Sequence, residues 1–207
     1  MAVRSALIWI GLALVIAVPL GVAATSPLLA WRDPVYIASG FAGVVALALV
    51  LVQPLLAAGY LPGVSMTHGR RVHRWIGFGL VAMVLAHVGG LWLTSPPDVI
   101  DALLFDSPTP FSVWGVTAMW AVFLTALLVA MRNRLHIGPR PWRMGHTALA
   151  VVIVLGSVVH ALLVEGAMGP ASKAALCALV LLSTARAVLD LRAWTLFYRK
   201  KQGLRGP

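Results

Sequence analysis

The sequence predicts an all-α protein, a bundle of six transmembrane helices with both termini in the cytoplasm. Three observations carry that prediction. Of the 207 residues, 60% are hydrophobic and only 11% are charged, against about 25% charged in a soluble globular domain, and the mean hydropathy is +0.93. The apolar residues gather into six stretches, each close to the ~20 residues that a helix needs to cross a bilayer. Basic side chains concentrate in alternate connections, as one side of a six-span protein requires. The length suits one compact helical domain over residues 1–207 and no second large domain.

The stretches are 6–24, 35–58, 75–93, 113–131, 146–164 and 174–196. With no water in the hydrocarbon to satisfy bare backbone groups, each is expected to be a helix. The first follows Arg4 and runs into Ala23, Ala24 and Thr25, which resembles a secretory signal. Its apolar run exceeds the roughly 7–15 residues of a signal core, so it is read as a retained span. Pro19 and Pro54 fall near the ends of the first and second stretches, where a kink is tolerated. The second connection holds Arg70, Arg71 and Arg74, the fourth holds Arg132, Arg134, Arg140 and Arg143, and the tail holds Arg199, Lys200, Lys201 and Arg205. The opposite connections carry Asp33, Asp98, Asp101, Asp106 and Glu165 against Arg32 and Lys173. The positive-inside rule then puts the basic connections in the cytoplasm. Segment 94–112, rich in Pro, Ser and Asp, becomes the longest outer loop.

A formal charge of +10 is thereby a topology signal. Its expected neighbours are anionic lipid headgroups, not nucleic acid. Trp75, Trp92 and Trp142 lie near stretch ends and read as interfacial anchors. Arg186 and Asp190 share the sixth stretch at i,i+4 spacing and are expected to neutralise each other, unless Arg186 snorkels to the inner face or meets a cofactor carboxylate. His68 and His136 fall in basic connections and read as solvated or lipid-facing.

Four histidines remain, and their spacing is regular. His73 and His87 are fourteen residues apart, as are His146 and His160. Fourteen residues turn a helix through about 1400°, some 40° short of four turns, and rise about 21 Å. The histidines of each pair therefore share one helix face, at two depths. The third and fifth helices run the same way, so His73 is level with His146 and His87 with His160. Neutral imidazole is a common axial ligand of haem iron, and two level pairs make two bis-histidine sites. The expected cofactor is haem b, two per chain, with a single haem as the alternative because His73 and His146 sit at stretch ends. The lone Cys177 excludes both an internal disulfide and a Cys-x-x-Cys-His attachment, so such haem is non-covalent. Arg70, Arg71, Arg74 and Arg143 flank the inner pair and suit haem propionates. Gly77, Gly79, Gly89, Gly90, Gly145 and Gly156 crowd the histidine helices. They suit either close helix packing or the approach of a flat macrocycle. No sequence repeat extends over whole hairpins; only the histidine spacing recurs.

Residues His73-Arg74-Trp75-Ile76-Gly77-Phe78 leading to His87, and Trp142-Arg143-Met144-Gly145-His146 leading to His160, resemble the ferric reductase-like transmembrane domain. That superfamily includes NADPH oxidases, ferric reductases and the bacterial MsrQ/YedZ haem subunit. The resemblance covers nearly the whole chain. It implies a cytochrome b bundle carrying electrons outward from a cytoplasmic flavin, with His73, His87, His146 and His160 as the iron ligands. Oxidases and ferric reductases usually continue into flavin and nicotinamide domains. This sequence stops at Pro207, soon after Tyr198-Arg199-Lys200-Lys201, and so looks more like the stand-alone branch. A separate flavin reductase, or quinol, is then the expected donor, with any flavin on that partner, and a periplasmic reductase is a candidate acceptor. The expected location is a bacterial inner membrane. A different class of function remains open: a small transporter or assembly factor whose histidines relay protons or metal without haem. Acids at mid-span or broken helices would favour it. Asp190, near a helix end, is the one acid within the six stretches.

Overall fold

The computed structural model describes residues 2–191. These form seven α-helices and no strand: α1 Ala2–Ala24, α2 Pro34–Ala57, α3 Met66–Thr94, α4 Pro96–Leu103, α5 Ser112–Met131, α6 Pro139–Leu163 and α7 Pro170–Asp190. All except α4 are long and apolar enough to cross a membrane. The basic tail and the end of the sixth stretch lie outside the described residues.

Local chemistry sets the starts. Proline occupies the first turn of α2, α4, α6 and α7, where its missing N–H is no loss. Asp33 caps α2, its carboxylate accepting from Val35 N at 2.7 Å and Tyr36 N at 3.4 Å. Ser65 caps α3 by accepting from His68 N at 3.3 Å. Gly169, at φ 69°, makes the turn into α7, a conformation open to glycine at no steric penalty.

Two expectations change. Apolarity marks the third and fifth helices from Trp75 and His146, but α3 begins at Met66 and α6 at Pro139. The added turns are polar and rich in arginine, which hydropathy overlooks; long basic side chains can still reach water from a helix end. His73 and His146 therefore lie two turns inside their helices, not at the ends. His68 is helical, in the first turn of α3, while His136 stays in the α5–α6 connection. The second change is in segment 94–112, which is not plain loop. It folds back as the short helix α4, seated by buried Val99.

The core centres on α2. Its Ala46, Leu47, Val50 and Leu51 pack with Leu176, Cys177 and Val180 of α7, Ala121 and Val122 of α5, and Ile153, Val154 and Val158 of α6. α2 packs on α3 and α5 on α6, and α7 joins the two hairpins by packing on both α2 and α6; α1 lies against α2 and α7. The Trp9 indole of α1 donates to Pro62 O at 3.2 Å. One pairing is missing: α3 and α6 do not pack on each other as their neighbours do. These are the two helices that carry the four histidines.

Candidate functional site

The histidine rings reach across the gap between α3 and α6 at two levels. At one level the ring centroids of His73 and His146 are 6.1 Å apart with planes at 68°. At the other, those of His87 and His160 are 6.4 Å apart at 79°. The pairing is the one the fourteen-residue spacing anticipates. Two metal–imidazole bonds of about 2 Å, plus about 1.2 Å from each nitrogen to its ring centre, bring two centroids to about 6 Å. Both levels therefore have the separation of two imidazoles facing one ion, and helices held apart leave width for a flat ring system. Among the described residues no cluster of three or more His, Cys, Asp or Glu could hold a metal ion, so each level offers two protein ligands. A haem, whose porphyrin supplies four equatorial nitrogens, matches that donor set.

The His87–His160 level, the outer one under the orientation that the connection charges predict, is built twice over from the same parts. His87 Nδ1 lies 2.8 Å from Ser39 O on α2, and His160 Nδ1 lies 2.9 Å from Phe111 O at the start of α5. A carbonyl only accepts, so Nδ1 carries the proton and Nε2 keeps its lone pair for a metal. Four residues after each carbonyl stands a glycine. A Cβ on Gly43 would come 2.9 Å from His87 Nδ1, and one on Gly115 would come 2.6 Å from His160 Nδ1. Each imidazole thus lies on bare backbone. The Phe111 ring also meets His160 edge to face at 5.7 Å. Beyond this level, at the C-terminal end of α6, Lys173 donates to Val164 O at 2.7 Å and Leu162 O at 3.3 Å.

The inner level is asymmetric. His73 Nδ1 donates to Gln53 O at 3.2 Å, and the Gln53 side-chain amide lies against the same nitrogen. His146 Nδ1 is buried with no hydrogen-bond partner among the described residues. Its ring is instead stacked on Trp142, 5.3 Å away at 16°, and the Arg132 guanidinium lies 4.7 Å from the Trp142 ring centre.

Arg74 and Arg143, the other anticipated site residues, are exposed. Arg143 donates to Leu191 O at 2.8 Å, and Arg74 makes no hydrogen bond or ion pair among the described residues. Arg186 and Asp190 pair at 3.1 Å as expected, with a third member: the Tyr60 hydroxyl donates to Asp190 at 2.5 Å. Burial, and then the Asp190 carboxylate, push the Tyr60 pKa above its ordinary value. The glycines divide. Gly156 packs against Trp114 O and Ala118, and Gly90 against Ser39, as ordinary helix contacts. The two that seat the histidine rings, Gly43 and Gly115, are not on the histidine helices. Sequence reasoning missed them along with Ser39, Gln53 and Phe111. Their one sequence signal is glycine in each helix that precedes a histidine helix, Gly40 and Gly43 in α2 and Gly115 in α5.

A family model described as "Ferric reductase like transmembrane component" matches residues 40–157. The match runs from α2 into α6 and takes in His73, His87 and His146, stopping three residues before His160. No curated protein and no solved structure matches the chain.

Proposed function

The chain belongs to the ferric reductase-like transmembrane family and is an integral, multi-pass membrane protein; from that premise we propose that it is a b-type cytochrome passing electrons across the membrane. The observation that carries this reading is the pair of facing imidazoles at each of two levels, about 6 Å between ring centres. His73 with His146 would hold one haem and His87 with His160 the other. Haem bound at these positions supplies one-electron redox chemistry.

The chain's own part is to hold, orient and insulate. The carbonyls of Ser39, Gln53 and Phe111 fix the tautomer of three ligands and make them better donors. Gly43 and Gly115 allow the outer rings to come that close. The apolar packing of α2, α5, α6 and α7 keeps water from the interior and so lowers the local dielectric. Arg74 and Arg143, with Arg70 and Arg71, border the inner level and suit propionate carboxylates.

The arginine-rich side is taken as cytoplasmic, so the acid-rich side faces outward, and the membrane as a bacterial inner membrane. A separate flavin reductase or quinol supplies electrons inside; a periplasmic reductase, ferric iron or oxygen receives them outside. The transporter reading lacks its expected feature: in the described spans the one acid is Asp190, at the end of α7 and paired with Arg186.

Absorbance and haem content of the purified full chain test the proposal. A reducible Soret and α-band with close to two haems per chain is the expected result. A ratio near one would reject the two-site version, and no reducible haem would sink the function.

A further inference from the structure

Three of the four histidines are oriented by a main-chain carbonyl at Nδ1; His146 is not. Its neighbour is Trp142, one turn earlier on the same helix, whose indole lies nearly parallel to the imidazole at 16°. An i,i+4 pair on one helix face can stack this way without help from another element. Here help is present. Arg132, at the end of α5, crosses the α5–α6 connection and sets its guanidinium over the Trp142 ring at 4.7 Å. A cation over an indole face is attracted by the ring quadrupole, more strongly where both are desolvated. Both residues are half-buried, unlike the exposed Arg134, Arg140 and Arg143 around them. An indole serving only as an interfacial anchor needs neither a cation above it nor an imidazole beside it.

We propose that Trp142, pinned by Arg132, is the positioning residue of the inner pair and sets the ring plane of His146 where a carbonyl sets the plane of the other three histidines. This rests on the haem reading above. It has an electronic consequence. With no acceptor at Nδ1 among the described residues, His146 is a weaker donor than its counterparts, and the Arg132 charge lies over the ring of its stacking partner. Both effects favour the reduced iron, so the inner haem should have the higher potential of the two. The stack also holds the inner planes at 68°. Crossed imidazole planes give ferric haem a highly anisotropic low-spin resonance, and planes turned toward parallel give a rhombic one.

The test uses the purified full chain with its haem, read by low-temperature electron paramagnetic resonance and by redox titration. Trp142→Leu should turn the inner resonance from anisotropic toward rhombic and leave the outer one in place; Trp142→Phe should keep the native spectrum. Arg132→Gln should lower the inner midpoint potential without moving the outer. Trp120→Leu, at an exposed indole of α5, should change neither. If Trp142→Leu loses the inner haem, recovery in Trp142→Phe supports the assignment and failure to recover overturns it. An unchanged inner spectrum and midpoint in Trp142→Leu and Arg132→Gln also overturns it. A parent protein without two bis-histidine signals would instead defeat the two-haem reading itself, a separable outcome.

Discussion

The outer and inner histidine pairs face each other at nearly the same distance, yet they are held by different means. At the outer level both rings lie on glycine backbone and both donate to a carbonyl of the preceding helix, Ser39 O and Phe111 O. At the inner level one ring donates to Gln53 O and the other is stacked beneath an indole. The outer arrangement is rigid because main chain supplies it. The inner arrangement depends on side chains, which substitution can alter one at a time. Rings that face each other alike are therefore held unalike, and if haem binds as proposed, the inner level is where substitution should move its potential most readily.

The largest expected effect removes a ligand. His87→Ala or His160→Ala should each take the haem-to-protein ratio from two to one and leave the inner spectrum intact, measured by pyridine haemochrome against protein concentration. His73→Ala or His146→Ala should do the converse. A single substitution that empties both levels would show that the levels are not independent.

Next comes the glycine seat. Gly115→Ala places a methyl 2.6 Å from His160 Nδ1, closer than the 2.9 Å that Gly43→Ala would impose on His87. Overpacking of this kind costs about 1–3 kcal/mol, so outer-haem retention should weaken by roughly five- to 150-fold. Gly115→Ala should be the more severe of the two in a haem-transfer assay. Equal retention in both and in the parent would mean that the rings do not need bare backbone.

A smaller effect is expected at Gln53. Gln53→Leu removes the side-chain amide beside His73 but keeps the carbonyl. Loss of a group supporting a metal ligand typically weakens binding about 10–100-fold; with the carbonyl retained, the lower end applies, and only the inner level should respond. An equal response at the outer level would blur the distinction between the two.

The smallest effect is expected away from both levels. Asp190→Asn breaks the contacts to Arg186 and Tyr60 at the surface, where exposed ion pairs contribute little. Haem content and both spectra should be unchanged, and a spectral change would extend the inner level to the end of α7.

The six spans and the pairing of four histidines were legible in the sequence, and for the same reason. A bilayer enforces long apolar helices, and a helix converts spacing into depth and face. Hydropathy failed where the membrane stops dictating composition. The arginine-rich turns 66–74 and 139–145 are helical but not apolar, and α4 is too short and too polar to register. Gly43, Gly115, Ser39 and Phe111 were not legible because they act through backbone, and nothing in a side chain announces which carbonyl an imidazole from another helix will reach. Trp142 was legible only as an anchor, since its stack on His146 needs the ring orientation and its cation comes from a different helix.

By itself, then, the sequence determined six spans, their charge asymmetry and two levels of paired histidines, because each follows from local periodicity in an apolar solvent. Only the tertiary structure decided that α3 and α6 stand apart, that bare backbone seats the outer rings, and that the inner pair is lopsided. Those features depend on how separate helices meet, and helix-to-helix registry is a property of packing that no single segment carries.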